Sequence, residues 1–306
     1  MNEPDVEYDA SGKILFGASE SIVSLTIPEG VTQIGPNACR GAVKLEIVEL
    51  PETMTKIGSN AFLGCGSLRT VETFCRLKQI EDHAFAGCDQ LESIELPEGL
   101  VKVGDSAFFG CSSITNVELP ESLVKLGSWA FYKCDALESV EFPVGLAKIG
   151  AWAFADCGAL ESVELPDKSI KIGEGAFFHC DSLVSVEFSE LLVKIGAKAF
   201  ANCSALKSIE LPGSLYYIGA EAFAGCSKIE KIELPDRLVK IGSGAFARCE
   251  ALRVIDVPAG LRSIGPRAFD ECPSLKRVYA RKANIDLLRC AFERSDSIEF
   301  VVLDER

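Results

Sequence analysis

The stretch Ile149-Gly150-Ala151-Trp152-Ala153-Phe154-Ala155-Asp156-Cys157-Gly158-Ala159-Leu160-Glu161-Ser162-Val163-Glu164-Leu165-Pro166 is echoed, position for position, by Ile172-Gly173-Glu174-Gly175-Ala176-Phe177-Phe178-His179-Cys180-Asp181-Ser182-Leu183-Val184-Ser185-Val186-Glu187-Phe188. The interval from Ile149 to Ile172 is kept throughout. Working outward, the anchor recurs at Ile34, Ile57, Ile80, Val103, Leu126, Ile149, Ile172, Ile195, Ile218, Ile241, Ile264 and Leu287, twelve units without insertion or deletion. Ala stands four residues after every anchor, from Ala38 to Ala291, and Phe follows it in every unit but the first, which has Cys39. A fixed period of this length is the mark of a repeat architecture.

Apolar residues at offsets +14 and +16 from the anchor differ by two, so they share one face of an extended segment such as Ser162-Val163-Glu164-Leu165. Ala, Phe and Cys at +4, +5 and +8 have a one-turn helical spacing, and Pro36 and Pro266 just after the Gly suit a first helical turn. The spacing therefore predicts a short helical turn backing a short strand. One such unit cannot bury its own apolar face, but stacked copies join their faces into a continuous core. The expected fold is an α/β repeat solenoid with a parallel sheet, a single body over residues 1–306 where length alone suggests about two domains.

Composition is that of ordinary soluble chains, 48% hydrophobic and 25% charged, which excludes disordered and collagen-like classes. The formal net charge of −14 repels phosphate backbones, so no nucleic-acid partner is expected. Apolar runs are cut every few residues by Glu, Lys or Gly, far short of the roughly 20 residues a membrane span needs. The start Met1-Asn2-Glu3-Pro4-Asp5 lacks the basic and apolar regions of a signal peptide.

The pattern I-G-x-x-A-F-x-x-C-x-x-L-x-x-V-x-L-P resembles the BspA-like class of leucine-rich repeats over roughly residues 22–280. The resemblance implies a leucine-rich-repeat arc with its sheet on the concave face and the helical turns opposite. It also implies a non-enzymatic recognition or adhesion role at the cell surface or after secretion; the bare N-terminus leaves a cytoplasmic alternative. Two departures stand out. Val71-Glu72-Thr73-Phe74-Cys75 loses the Leu and Pro and the next anchor is Ile80-Glu81 without Gly, which reads as a distorted turn. At the end, Ala280, Arg281 and Asn284 replace Leu, Pro and Leu and Ser295 replaces Cys, so residues 281–306 read as a C-terminal cap. Val6 to Leu15 has a hairpin pattern around a polar turn, and residues 1–21 read as an N-terminal cap.

Ten of the thirteen cysteines, from Cys65 to Cys272, share the +8 slot and form one column, a ladder of small buried thiols. Stacked neighbours could approach disulfide distance, although parallel equivalent side chains rarely have the required dihedral. There is no Cys-x-x-Cys pair and no zinc spacing. Cys39, Cys75 and Cys290 lie off the column, with Cys75 the expected accessible thiol. His83 and His179, about four units apart, share no site, and no phosphate-loop, G-x-S-x-G or H-E-x-x-H motif is present. No enzyme, cofactor or metal is expected.

In a stack, one offset is one stripe. Offset +15 is acidic in ten consecutive units, running through Glu95, Glu118, Glu141, Glu164, Glu187, Glu210 and Glu233 to Asp256. It reads either as a concave groove for a cationic protein or peptide, or as the copied charge of a soluble strand face; aligned carboxylates also suit a cation such as calcium. Offset +22 is rich in lysine, including Lys56, Lys102, Lys125, Lys194 and Lys240, which either protects a flank from association or joins two copies side to side. Trp129 and Trp152 at +3, with Phe109, Tyr132 and Phe178 at +6, form an aromatic group that either covers the turns or anchors an interface. The function read from these stripes is protein or peptide recognition on the acidic face. The alternative is a scaffold that self-associates as a homo-oligomer through Trp129, Tyr132 and Trp152.

Overall fold

Each repeat completes one coil, and much of that coil's hydrogen bonding goes to the coils beside it. Equivalent side chains and backbone groups meet across one full period, as where Ser128 N donates to Asp105 Oδ1 at 2.8 Å. The computed structural model describes residues 6–72, 76–168, 170–292 and 298–303. They fall into two compact units, Met1–Gly158 and Ala159–Arg306. Cys75 and Ser295 lie outside the described residues.

In the first unit a parallel, in-register ladder of short strands forms at the anchors: Gln33–Ile34, Lys56–Ile57, Gln79–Ile80, Lys102–Val103 and Lys125–Leu126. Ile14–Ala18 joins it in parallel and pairs antiparallel with Val6–Tyr8. A second parallel ladder, at +13 to +15, joins Ser24–Thr26, Ile47–Glu49 and Thr70–Glu72, and separately Asn116–Glu118 with Ser139–Glu141. The second unit repeats the plan. Its anchor ladder runs Lys194–Ile195, Tyr217–Ile218, Lys240–Ile241, Ser263–Ile264. Its other ladder pairs Ser162–Glu164 with Ser185–Glu187, and Lys231–Glu233 with Val254–Asp256, Arg277–Arg281 and Glu299–Leu303.

The expected helical turn at +2 to +8 does not form. Residues at +3 and +7 are left-handed in coil after coil, as at Asn60 (φ 56°) and Gly64 (74°), Trp129 (54°) and Lys133 (58°), and Glu221 (56°) and Gly225 (77°). A left-handed residue interrupts a right-handed helix. Alternate N–H groups then leave the coil: Asn60, Phe62 and Gly64 donate to the carbonyls of Asp82, Ala84 and Ala86 at 3.0, 2.7 and 2.8 Å. Those between them, Ala61, Leu63 and Cys65, turn back to Gly58, Asn60 and Phe62 at 3.2, 3.2 and 3.1 Å. The result is a third ladder between coils. Among the described residues the helices are Lys282–Leu288 and a 3-10 turn, Arg289–Ala291.

The glycine after the anchor is set by close approach. A Cβ on Gly58 would lie 2.7 Å from the Ile34 carbonyl oxygen, and one on Gly196 2.7 Å from that of Gly173. Side chains repeat with the same pitch. Phe62, Phe85, Phe108, Phe131 and Phe154 are fully buried and stack nearly parallel, with ring centroids 5.0–5.4 Å apart. Phe177, Phe200, Phe223, Phe246 and Phe269 do the same in the second unit at 5.2–5.5 Å. Beside them the column thiols donate to carbonyls of the preceding coil, as with Cys134 Sγ to Phe108 O at 3.3 Å and Cys226 Sγ to Phe200 O at 3.1 Å. The described cysteines are free thiols, Cys290 is exposed, and Cys39, off the column, is buried. Burial pushes the Cys39 and Cys65 thiols up to about 12.

The lysine stripe is relieved by its neighbours. In the first unit Glu81, the residue that replaces the anchor glycine, bridges Lys56 at 3.0 Å and also pairs with Lys102. The ladder strand Gln79–Ile80 keeps its register on both sides, and Glu81 is an ion-pair hub; the expected distorted turn falls at residues 73–75, outside the described residues. In the second unit Tyr217 lies between Lys194 and Lys240, whose Nζ atoms sit 4.8 and 5.4 Å from its ring centroid.

Phe131→Ala is expected to cost about 3–5 kcal/mol, since the ring is enclosed by its column, and urea unfolding measures it. The hydrogen bond from Lys102, helped by Lys56, holds the Glu81 carboxyl below its ordinary 4.5. Its stabilising contribution is therefore complete above pH 4.5 and is lost as the pH falls through the lower folded value. Glu81→Gln is expected to destabilise by about 1 kcal/mol at pH 7. The gap in Tm between variant and parent should narrow as the pH is lowered below 4.5.

Candidate functional site

The strand ladder at +13 to +15 places one buried residue between two exposed ones, as in Asn116-Val117-Glu118 and Ser162-Val163-Glu164. The buried side chain fixes the face, so the residue after it must point to water. In the first unit Glu118 and Glu141 are register partners, as are Glu49 and Glu72. In the second, Glu164 partners Glu187 and Glu233 partners Asp256. Carboxylates one strand spacing apart repel by about 1 kcal/mol in water before screening. Small polar neighbours, Asn116, Ser139, Ser162 and Ser185, leave them room to splay. Thr26 Oγ1 donates to Glu49 at 3.0 Å, and Lys231 pairs with Glu233 and holds its carboxyl below the usual range.

The ladder is not continuous along the acidic column. Glu95 is exposed beside buried Ile94, but among the described residues Ser93-Ile94-Glu95 forms no strand. At Glu210 the pairing shrinks to a single bridge, Ile209 to Ile232. The side-chain alternation survives at both places, so it depends on burial of Ile94 and Ile209 rather than on the ladder bonds.

Each unit has a groove on this face. In the first, about 590 Å³ is bordered by Ser93, Glu95, Glu98, Asn116 and Glu118. In the second, about 480 Å³ is bordered by Glu233, Asp236, Asp256, Tyr279, Arg281 and Leu303. Both use the same offsets, so the groove follows from the coil shape. Of the residues that end the second one, Arg281 was legible only as a departure from the repeat and Tyr279 was not singled out.

The aromatic residues lie elsewhere. Trp129 is 43% exposed and Phe109 38%, whereas Tyr132 and Trp152 are half-buried. Phe109 and Tyr132 stack at 5.2 Å. The Tyr132 hydroxyl bonds Asp156, which with burial raises its pKa. Phe178 packs beside His179 in the second unit, at 6.0 Å between ring centroids. Trp129 and Trp152 occupy the left-handed +3 position at φ 54° and 59°, costly for a bulky side chain. The sequence pattern also left unremarked an exposed apolar pair on the lysine flank, Val101 and Val124.

His83 is in the first unit and His179 in the second, where its Nε2 lies 3.3 Å from Asp181 Oδ2. Among the described residues no group of three or more His, Cys, Asp or Glu is placed to hold a metal ion. None of the described helices is long and apolar enough to cross a membrane.

The family described as BspA type leucine rich repeat region, in six copies, matches residues 11–112, 78–207 and 171–299. Among solved structures, a leucine-rich repeat protein from Bacteroides ovatus ATCC 8483 is 26% identical, with 99% of this chain and 100% of that chain covered and a TM-score of 0.57. The pneumococcal vaccine antigen PcpA is 20% identical, covering 100% of this chain and 98% of that one, also at 0.57. A leucine rich cell surface protein from Faecalibacterium prausnitzii A2-165 is 23% identical over 94% of this chain and 98% of that one, with a TM-score of 0.44. No curated protein matches. With the repeat profile matched along nearly the whole chain and the coils seen in both units, the chain belongs to the BspA-type leucine-rich repeat family, whose members are commonly protein-interaction and surface proteins.

Proposed function

We propose that the chain is a non-enzymatic recognition module, at the cell surface or secreted, that takes a cationic protein or peptide segment on its acidic strand face. One observation carries this reading: in both units a groove is bordered by acids of the +15 column, Glu95 and Glu118 in the first and the register partners Glu233 and Asp256 in the second. Aligned charge of one sign would steer a basic partner and fix its register, with short-range contacts in the groove supplying the rest. The family's common role in protein interaction supports it.

The test uses a labelled oligolysine peptide. The double variants Glu118→Lys, Glu141→Lys and Glu164→Lys, Glu187→Lys are expected each to weaken binding by about tenfold or more, and the parent's affinity should fall as salt rises. Binding that ignores both variants removes the acidic face as the site.

A second reading is favoured by the exposure of Trp129 and Phe109 in the first unit: a scaffold that self-associates through Trp129, Tyr132 and Trp152. It predicts a sedimenting dimer that the Trp129→Ala, Trp152→Ala variant converts to monomer. A parent that sediments as a monomer leaves this reading without support.

A further inference from the structure

The groove of the second unit differs from that of the first in one respect that changes its chemistry. Along the strand face the row through Glu233, Asp256 and Tyr279 at +15 continues to Val301, each in register with the next. It passes from acid through an aromatic ring to an apolar side chain within four strands. On the strand Arg277–Arg281, alternation puts Arg277, Tyr279 and Arg281 on the outer face while Val278 and Ala280 are buried. Arg277 is already committed, donating to Glu299 at 3.0 Å and bonding the Tyr279 side chain. Among the described residues Arg281 forms no ion pair, although it borders the same groove as Asp256, and its register partner Leu303 is 38% exposed.

The acids alone would suit any cation and would single out nothing. What is particular here is a guanidinium two residues along one strand from an aromatic ring, with carboxylates one strand to one side and a leucine one strand to the other. Arg presents a planar fork that matches a carboxylate with two parallel hydrogen bonds. Exposed Leu303 and the Tyr279 ring offer apolar surface beside it, and the ring face also attracts a cation held by Asp256.

We propose that this groove binds the free C-terminal end of a peptide whose last residue is apolar and whose preceding residue is Lys or Arg. The α-carboxylate lies on Arg281, the terminal side chain on Leu303 and Tyr279, and the basic side chain on Asp256 and Glu233. The proposal rests on the strand face being a binding surface and adds a polarity and an end specificity to it. A volume of about 480 Å³ matches a ligand of a few residues.

The probes are the acetylated peptide Gly-Lys-Leu with a free carboxylate, its C-terminal amide, and Gly-Glu-Leu with a free carboxylate, titrated calorimetrically into the full chain. The free acid is expected to bind at least about tenfold more tightly than the amide and than the glutamate peptide, a difference of one charge-assisted contact in each case. Arg281→Gln should bring acid and amide to equal affinity, and Asp256→Asn should do the same for the lysine and glutamate peptides. Equal binding of acid and amide by the parent overturns the proposal but, if Asp256→Asn still weakens both, leaves the cationic-partner reading standing. No binding of the free acid, with oligolysine still bound in a manner sensitive to Glu164→Lys, Glu187→Lys, overturns the proposal alone. Loss of both overturns the reading beneath it.

Discussion

Within each unit, one constraint governs the rest: the backbone of a coil must lie within hydrogen-bond distance of the next coil at up to three places in a repeat. Two are parallel strand ladders and the third is the alternating turn segment, where N–H groups such as those of Phe62 and Phe223 reach across at 2.7 and 2.8 Å. This closeness explains the anchor glycine, because a Cβ there would fall inside the neighbouring backbone. It also explains the left-handed residues at +3 and +7, which aim successive N–H groups alternately inward along the coil and outward to its neighbour.

The same constraint turns composition into columns, and columns bring like against like. For phenylalanine this is favourable, since near-parallel rings about one strand spacing apart retain apolar contact on both faces. For thiols it is neutral, because those such as Cys134 and Cys226 find a carbonyl one coil back. For charge it is unfavourable, and the two charged columns meet it differently. The lysines are interrupted by Glu81 in one unit and Tyr217 in the other. On the strand face Thr26 meets Glu49 and Lys231 meets Glu233, while Glu118 with Glu141 and Glu164 with Glu187 stand carboxylate beside carboxylate.

Much of the coil could be read from the chain alone. The constant period determined which residues face inward, and the buried Val117, Val163, Phe131 and Cys134 follow it. The hairpin pattern at Val6 to Leu15 corresponds to the antiparallel pair of strands Val6–Tyr8 and Ile14–Ala18. The turn segment could not be read in this way. Its Ala, Phe and Cys spacing suits one turn of helix, and only the φ signs at Trp129 or Glu221, residue types with no preference for the left-handed region, reveal otherwise. The acidic column was legible as a stripe, but its grooves were not, because they depend on how Pro, Asp and Tyr side chains border the strand. The role of Glu81 as a bridge between two lysines was not legible, since Lys56 and Lys102 belong to the coils before and after its own.

The phenylalanine column carries a consequence for how such a chain can change over generations. A ring packed between two identical rings has no slack along the stacking axis, and neither do the thiol or glycine columns that share its pitch. Loss or gain of a single amino acid inside a coil would displace all of them together, whereas gain of a whole copy would displace none. Heritable variation in the length of this chain should therefore be quantised in complete copies, by slippage or unequal crossing-over, while its specificity drifts freely through the residues that meet water.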